Sequence, residues 1–211
     1  MDNDLVARPI LSCPVGPPYQ AFEIHPKAFT PRQCARIVSL GIALPPDVAH
    51  VEAGDGSEID DPSIRRSRTS WIKPDDDSWW IFEKLSRVVE RANRRYGFEV
   101  TGFGEDIQFT EYHAPGDFYA WHQDGLDGTL RDRKLSIVVQ LTPPEEYEGG
   151  ELQFFEVHED YEPEELEHFT NHSRRQGSAV VFPSFEYHRV LPMRAGTRHS
   201  LVCWVNGPPF R

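Results

Sequence analysis

Lys134-Leu135-Ser136-Ile137-Val138-Val139-Gln140-Leu141 is the stretch that decides the fold. It is rich in β-branched residues and is stopped by Pro143-Pro144, so it reads as a strand. Similar segments flank it: Asp106 to His113, Glu151 to Val157, Ser178 to Phe182 and Arg198 to Val205. Their separators carry Pro115-Gly116, Gly149-Gly150, Gly177, Pro192 and Gly196, residues that punctuate strands with turns. Everything after residue 100 therefore reads as a run of strands.

The chain before residue 100 has a different period. Residues 1 to 25 read as a loose entry ending in the apolar segment Tyr19 to Ile24. Thr30-Pro31-Arg32-Gln33 is a helix start, with a capping threonine, proline at the first helical position and glutamine at the capping-box position. Pro45-Pro46 closes that helix. A second helix is expected after Asp75, Asp76 and Asp77, with Ile81, Leu85, Val88 and Ala92 at helical spacing and Arg94, Arg95 and Gly97 at its end. Arg68 to Ile72 is a candidate strand. The acidic stretches at 52–63 and 156–176 are expected to be surface loops, each a candidate lid. Helices followed by strands give an α+β class, with a jelly roll or β-sandwich buttressed by helices on one sheet. A chain of 211 residues is expected to form a single domain, with helical support over about 26–98 and a core over about 100–206.

Composition excludes several functions. The net charge of −12 argues against nucleic acid as the main partner, because phosphate binding rests on cationic patches. No apolar run approaches the ~20 residues that span a bilayer, so no membrane partner is expected. Cys13, Cys34 and Cys203 have no metal-like spacing and leave one unpaired, which suits a reducing compartment. No signal peptide is visible, and a cytoplasmic address is the simplest expectation.

His122-Gln123-Asp124 carries the chemistry. Side chains two apart on a strand share a face, so His122 and Asp124 can reach one ion from one side. His188 follows the Phe182-Pro183-Ser184 turn, and a ten-residue step links it to Arg198. Two imidazoles and a carboxylate on one face of Fe(II) form the ligand set of non-haem iron oxygenases. Of the nine histidines, His113, His158, His168 and His172 fall in polar segments, and His199 would point away from Arg198. Arg198 and Ser200, two apart, can face the interior and hold one carboxylate. Tyr112 is either a cosubstrate partner or an aromatic core residue.

Taken together, Tyr112, Gly116, Tyr119, His122, Asp124, Tyr147-Glu148-Gly149-Gly150-Glu151-Leu152, Phe182-Pro183-Ser184, His188-Arg189-Val190, Gly196, Arg198 and Trp204 resemble the prolyl-4-hydroxylase-like 2-oxoglutarate/Fe(II)-dependent dioxygenases, in particular the bacterial PKHD-type hydroxylases. The resemblance covers roughly residues 66 to 205. It implies a double-stranded β-helix, with His122, Asp124 and His188 binding Fe(II). It further implies Arg198 on the distal carboxylate of 2-oxoglutarate, Tyr112 and Ser200 beside it and Trp204 lining the pocket. The implied activity is hydroxylation of a C–H bond using O2, with release of succinate and CO2. Retention of Asp124 excludes the halogenase variant, in which a small residue frees a place for chloride. The implied substrate is a prolyl or other amino-acid side chain in a peptide or protein, with a free amino acid or small metabolite as the alternative. Candidate substrate contacts are Tyr119, Trp121, Arg68, Trp71 and Arg189. A cupin-like binding module is the rival class, but cupins present an HxH pair and a nearby glutamate that this chain lacks.

Overall fold

The computed structural model describes residues 19–48, 51–52, 58–59, 61–125, 128–156 and 162–210. Three helices and ten strands of three or more residues make up its frame among the described residues. The helices are α1 (Pro31–Ala43), α2 (Trp79–Tyr96) and α3 (Pro163–Ser173). The strands are β1 (Glu23–His25), β2 (Arg68–Ile72), β3 (Ile107–His113), β4 (Phe118–His122), β5 (Arg133–Gln140), β6 (Tyr147–Gly149), β7 (Leu152–Phe154), β8 (Ala179–Pro183), β9 (His188–Val190) and β10 (Met193–Asn206).

All strand pairings are antiparallel. The major sheet runs β1-β8-β5-β10-β3-β2, and Asp47–Val48 extends it past β2. The minor sheet runs β7-β9-β4 and ends on the pair Arg65–Arg66. This is the jelly-roll arrangement expected from the strand run. The long strand β10 holds the frame together, because β5 and β3 flank it while β6 and Gly102–Phe103 pair with its two ends.

Alternation along the major sheet assigns each residue a side. Leu135, Ile137 and Val139 of β5, Leu201, Cys203 and Val205 of β10, and Ile107 and Phe109 of β3 bury against Cys34 and Ile37 of α1 and Ile81, Leu85, Val88 and Ala92 of α2. These helices are the expected buttress. α1 carries the expected capping box, in which Thr30 Oγ1 accepts from the Gln33 amide at 3.3 Å and Gln33 Oε1 accepts from the Thr30 amide at 3.0 Å. Gly41 lets α1 lie against β3, since a Cβ there would sit 2.3 Å from the Phe109 ring. α2 ends at Gly97, whose φ of 65° is left-handed.

α2 starts at Trp79, after the aspartates as expected, and Asp75 accepts from the amides of Asp77 and Ser78 in the turn before it. Several other local expectations differ from the structure. β7 stops at Phe154 rather than Val157. The expected loop at 156–176 contains α3, which carries His168 and His172 and packs Phe169 onto Phe154 and Phe22. Within 52–63 a short pairing of Val51–Glu52 with Glu58–Ile59 replaces part of the expected loop. The entry segment before Tyr19, Cys13 and His158 lie outside the described residues. No helix among the described residues is long and apolar enough to cross a membrane.

Candidate metal and cosubstrate site

The other side of the major sheet packs Val138, Val180 and Phe182 onto Leu152 and Phe154 of the minor sheet and carries a polar patch beside them. Arg198, Ser200 and Trp204 of β10 stand in register with Tyr112 and Thr110 of β3 and with Gln140 and Ser136 of β5. All seven are buried. Polar side chains on the concealed face of a sheet require partners, and these face the minor sheet.

His122 ends β4 and His188 opens β9, directly opposite one another. Asp124 lies just beyond β4, not on it, and its amide donates to the Ser184 carbonyl at 2.9 Å. The turn from β8 into β9 thereby pins the carboxylate between the two imidazoles. His122 Nε2 lies 3.6 Å from Asp124 Oδ1, and His188 Nε2 lies 3.7 Å from Oδ2. Each ring places Nδ1 on a backbone carbonyl two residues upstream, Ala120 at 2.8 Å and Glu186 at 2.9 Å. Those contacts assign the proton to Nδ1 and leave both Nε2 lone pairs facing Asp124, the tautomer a metal takes. The three donors lie within 4.8 Å of one another, the one such group among the described residues.

Burial would raise the Asp124 carboxyl, but His188, His122 and Arg133 outweigh it and hold the group well below the usual carboxylate range. Burial, followed by the charge of His122, pushes His188 down to about 4. At neutral pH the site holds a carboxylate and a neutral His188. Asp124 Oδ2 is buried with no hydrogen-bond partner. An orphaned anionic oxygen beside imidazole lone pairs fits a divalent cation.

A second orphan fits an anion. Arg198 is 1% exposed and its Nε donates to Gln140 Oε1 at 3.0 Å, yet both terminal nitrogens are buried without a partner. The guanidinium carbon lies 5.3 Å from the Tyr112 ring centre. A buried cationic fork with two free donors suits a carboxylate. The Trp204 Nε1 is likewise buried and unpaired.

Gly150 makes room for this arginine. A Cβ there would stand 2.5 Å from Met193 Sδ and 3.1 Å from Arg198 Cδ, and the residue has φ of +64°. Gly150→Ala should therefore cost about 1–3 kcal/mol in the left-handed region and crowd Arg198. Chemical denaturation should read that loss. An unchanged midpoint would show that the backbone relaxes freely here.

The metal-free protein should weaken in acid. His188 titrates near 6.5 when unfolded but near 4 when folded, so the unfolded state binds the extra proton between those values. Stability from this group is complete above about pH 6.5 and declines until about pH 4, by roughly 3 kcal/mol. Urea midpoints across that window test this. The same slope in His188→Asn would assign the effect elsewhere.

The candidate substrate residues divide by side. Tyr119 is inside, its ring 3.5 Å from that of His122. β4 spends three residues against two of β9 between the pairs His122–His188 and Tyr119–Val190, and this irregularity turns both rings inward. Trp71, in register with Gln108, reaches 6.3 Å from Trp204. Trp121 and Arg189 stack on each other at 4.4 Å, and Arg189 donates to Gln153, on the far side of the minor sheet from His188. Arg68 pairs with Glu111, which pairs with His199, so it stands on the sheet face opposite Arg198. Gln140, Ser136 and Arg133 face this interior without belonging to any sequence motif. The first two had a signal, being polar residues of one parity within an apolar strand.

Residues 107–206 match the family model of the 2OG-Fe(II) oxygenase superfamily. A PKHD-type hydroxylase of Hyphomonas neptunium is 37% identical over 133 residues, which are 58% of this chain and 54% of that protein. A PKHD-type hydroxylase of Xylella fastidiosa is 28% identical over 115 residues, 54% of this chain and 40% of that protein. The chain thus spans about half or less of the length of these curated relatives. Among solved structures, a viral collagen prolyl hydroxylase from Paramecium bursaria Chlorella virus-1 superposes with a TM-score of 0.60 at 19% identity, covering 90% of this chain and 97% of that one. A prolyl hydroxylase of Trichoplax adhaerens, in complex with a hypoxia inducible factor peptide fragment, gives 0.62 at 18% identity, covering 88% and 83%. At these identities the superpositions establish the fold.

Proposed function

We propose that this chain, whose residues 107–206 match the family model of the 2OG-Fe(II) oxygenase superfamily, is such an oxygenase and hydroxylates a C–H bond of a prolyl or other amino-acid side chain in a peptide or protein. The observation that carries this reading is the pairing of two orphans in one buried interior. Asp124 Oδ2, beside two imidazoles, lacks a cation, and the Arg198 fork lacks an anion. Fe(II) and 2-oxoglutarate supply one of each.

In this reading His122, Asp124 and His188 hold Fe(II), and Arg198 takes the distal carboxylate of 2-oxoglutarate. Gln140 fixes the arginine from behind through its Nε. Ser200 and Tyr112, buried on the same face, border that carboxylate, and Trp204 closes the wall. When bound, iron and 2-oxoglutarate supply an oxidation by O2 in which 2-oxoglutarate becomes succinate and CO2. One oxygen atom enters succinate and the other the substrate C–H bond. Tyr119, stacked on His122, is the candidate substrate residue that borders the metal donors. The peptide assignment draws on the relatives, which are named hydroxylases, and on neighbours named prolyl hydroxylases.

The test is succinate release by anaerobically iron-loaded protein given 2-oxoglutarate and air, across prolyl peptides and free amino acids. Stimulation by peptides supports the proposal. Stimulation by a free amino acid alone would replace the substrate class, and no succinate at all would overturn the activity.

A further inference from the structure

Arg133 opens β5, next to the metal-site loop, and is 9% exposed. Its guanidinium makes four contacts at once. Nε donates to Glu105 Oε1 at 2.7 Å and Nη2 to Glu105 Oε2 at 2.5 Å, a two-pronged carboxylate pair. Nη1 donates to the backbone carbonyl of Asp124 at 2.9 Å. The guanidinium carbon also lies 3.8 Å from the Trp204 ring centre, at stacking distance.

We infer that Arg133 is the positioning residue of the metal carboxylate, anchored by Glu105 and joined through Trp204 to the cosubstrate wall. This rests on the function proposed above. Asp124 has no strand to hold it, since β4 ends at His122. The two peptide groups that flank its Cα are fixed instead, the preceding one by the Asp124 amide donating to Ser184 O and the following one by Arg133 donating to the Asp124 carbonyl. The following residue has no slack: a Cβ on Gly125 would sit 2.5 Å from Leu130 O and 2.8 Å from Arg133 Cβ. Glu105 fixes the direction of the guanidinium, because a bidentate pair sets a plane as well as a distance. That plane lies against Trp204, whose neighbours on β10 at two-residue steps lead to Arg198. One side chain therefore sets the carboxylate that faces the metal and a wall of the pocket that faces 2-oxoglutarate. Lysine cannot substitute, since one ammonium lacks the fork that reaches Glu105 and Asp124 O together.

The test compares Arg133→Met, Arg133→Lys and Glu105→Ala with the unaltered protein. Metal affinity is measured anaerobically with Fe(II) and with redox-inert Co(II), the visible charge-transfer band with Fe(II) and 2-oxoglutarate is recorded, and kcat and KM for 2-oxoglutarate are determined. Loss of a group that orients a metal ligand typically costs 10–100-fold in affinity. Arg133→Met and Arg133→Lys should each lose about that much, and Glu105→Ala about half as much on a logarithmic scale. The charge-transfer band should shift, and KM should rise together with a fall in kcat. Wild-type affinity and an unshifted band in Arg133→Lys would reduce Arg133 to a charge and overturn the inference. If Arg133→Met does not fold, Glu105→Ala, which keeps the arginine, decides by the same readouts. Unaltered protein that binds Co(II) but leaves 2-oxoglutarate intact would overturn the oxygenase reading, while the affinity ratios still judge Arg133. Unaltered protein that binds neither metal would overturn both.

Discussion

Arg198→Met is expected to raise the 2-oxoglutarate concentration for half-maximal turnover by about 100-fold, while leaving the metal-free protein as stable as before or more so. The two effects have one cause. Arg198 is 1% exposed, with two donors unsatisfied. A buried, half-paired cation is costly in the empty protein, and an apolar side chain of similar length removes that cost. The same desolvated fork gives a bound carboxylate a charge-assisted, two-pronged partner, and losing one side of such a pair costs about 2–5 kcal/mol. Three kcal/mol is roughly 100-fold. Steady-state kinetics and urea denaturation on one preparation read both. Unchanged KM would place the cosubstrate carboxylate elsewhere. A large loss of stability would show that Arg198 serves the fold through Gln140. Arg198→Lys should fall between, since an ammonium keeps the charge but gives up the planar fork.

What the sequence disclosed, and what it hid, follows the range of the interactions. α1 was legible because Thr30 and Gln33 bond each other across three residues. α2 was legible because its apolar side chains recur on one face and Gly97 stops it. α3 was not, because Leu166 and Phe169 are its only large apolar residues among glutamates and histidines, and its cap is a glutamate rather than a serine or threonine. The side taken by a strand residue is decided across the sheet. Arg68 sits near Trp71 in the chain, yet its register with Glu111 carries it to the helical side. Trp121 adjoins His122 and points outward by plain alternation, whereas Tyr119, three residues from His122, reaches the inner side only through the register irregularity of β4. Gln140 is 58 residues from the arginine it holds, beyond any local pattern. The metal-site spacing was readable because His122 and Asp124 are two apart and close to one peptide turn. The arginine that secures Asp124 acts through a backbone carbonyl, which carries no side-chain signature.

Replacing a metal-facing imidazole should have the largest effect of all. His188→Ala and His122→Ala are each expected to lower Fe(II) affinity by well over 100-fold and to bring succinate formation to background. The group removed would be a direct ligand, whereas changing a ligand's outer partner already costs 10–100-fold. The two variants should separate in stability. His188 is buried, with the Phe182 ring 4.6 Å and the Phe154 ring 6.0 Å away, so alanine leaves a cavity between aromatic walls. His122 is partly exposed and covered chiefly by Tyr119, which can settle into the space. His188→Ala should therefore lose more denaturant resistance than His122→Ala, and both should remain folded. Offsetting this, the alanine variant is relieved of an imidazole held neutral by burial, so the gap should narrow as the pH falls from 6.5 towards 4. Metal affinity and denaturation midpoints of the two variants, each at pH 7.5 and pH 5, supply the four comparisons needed. Full succinate formation in either folded variant would remove that histidine from the metal set. Equal stability losses at both pH values would show that burial of His188 does not set its protonation.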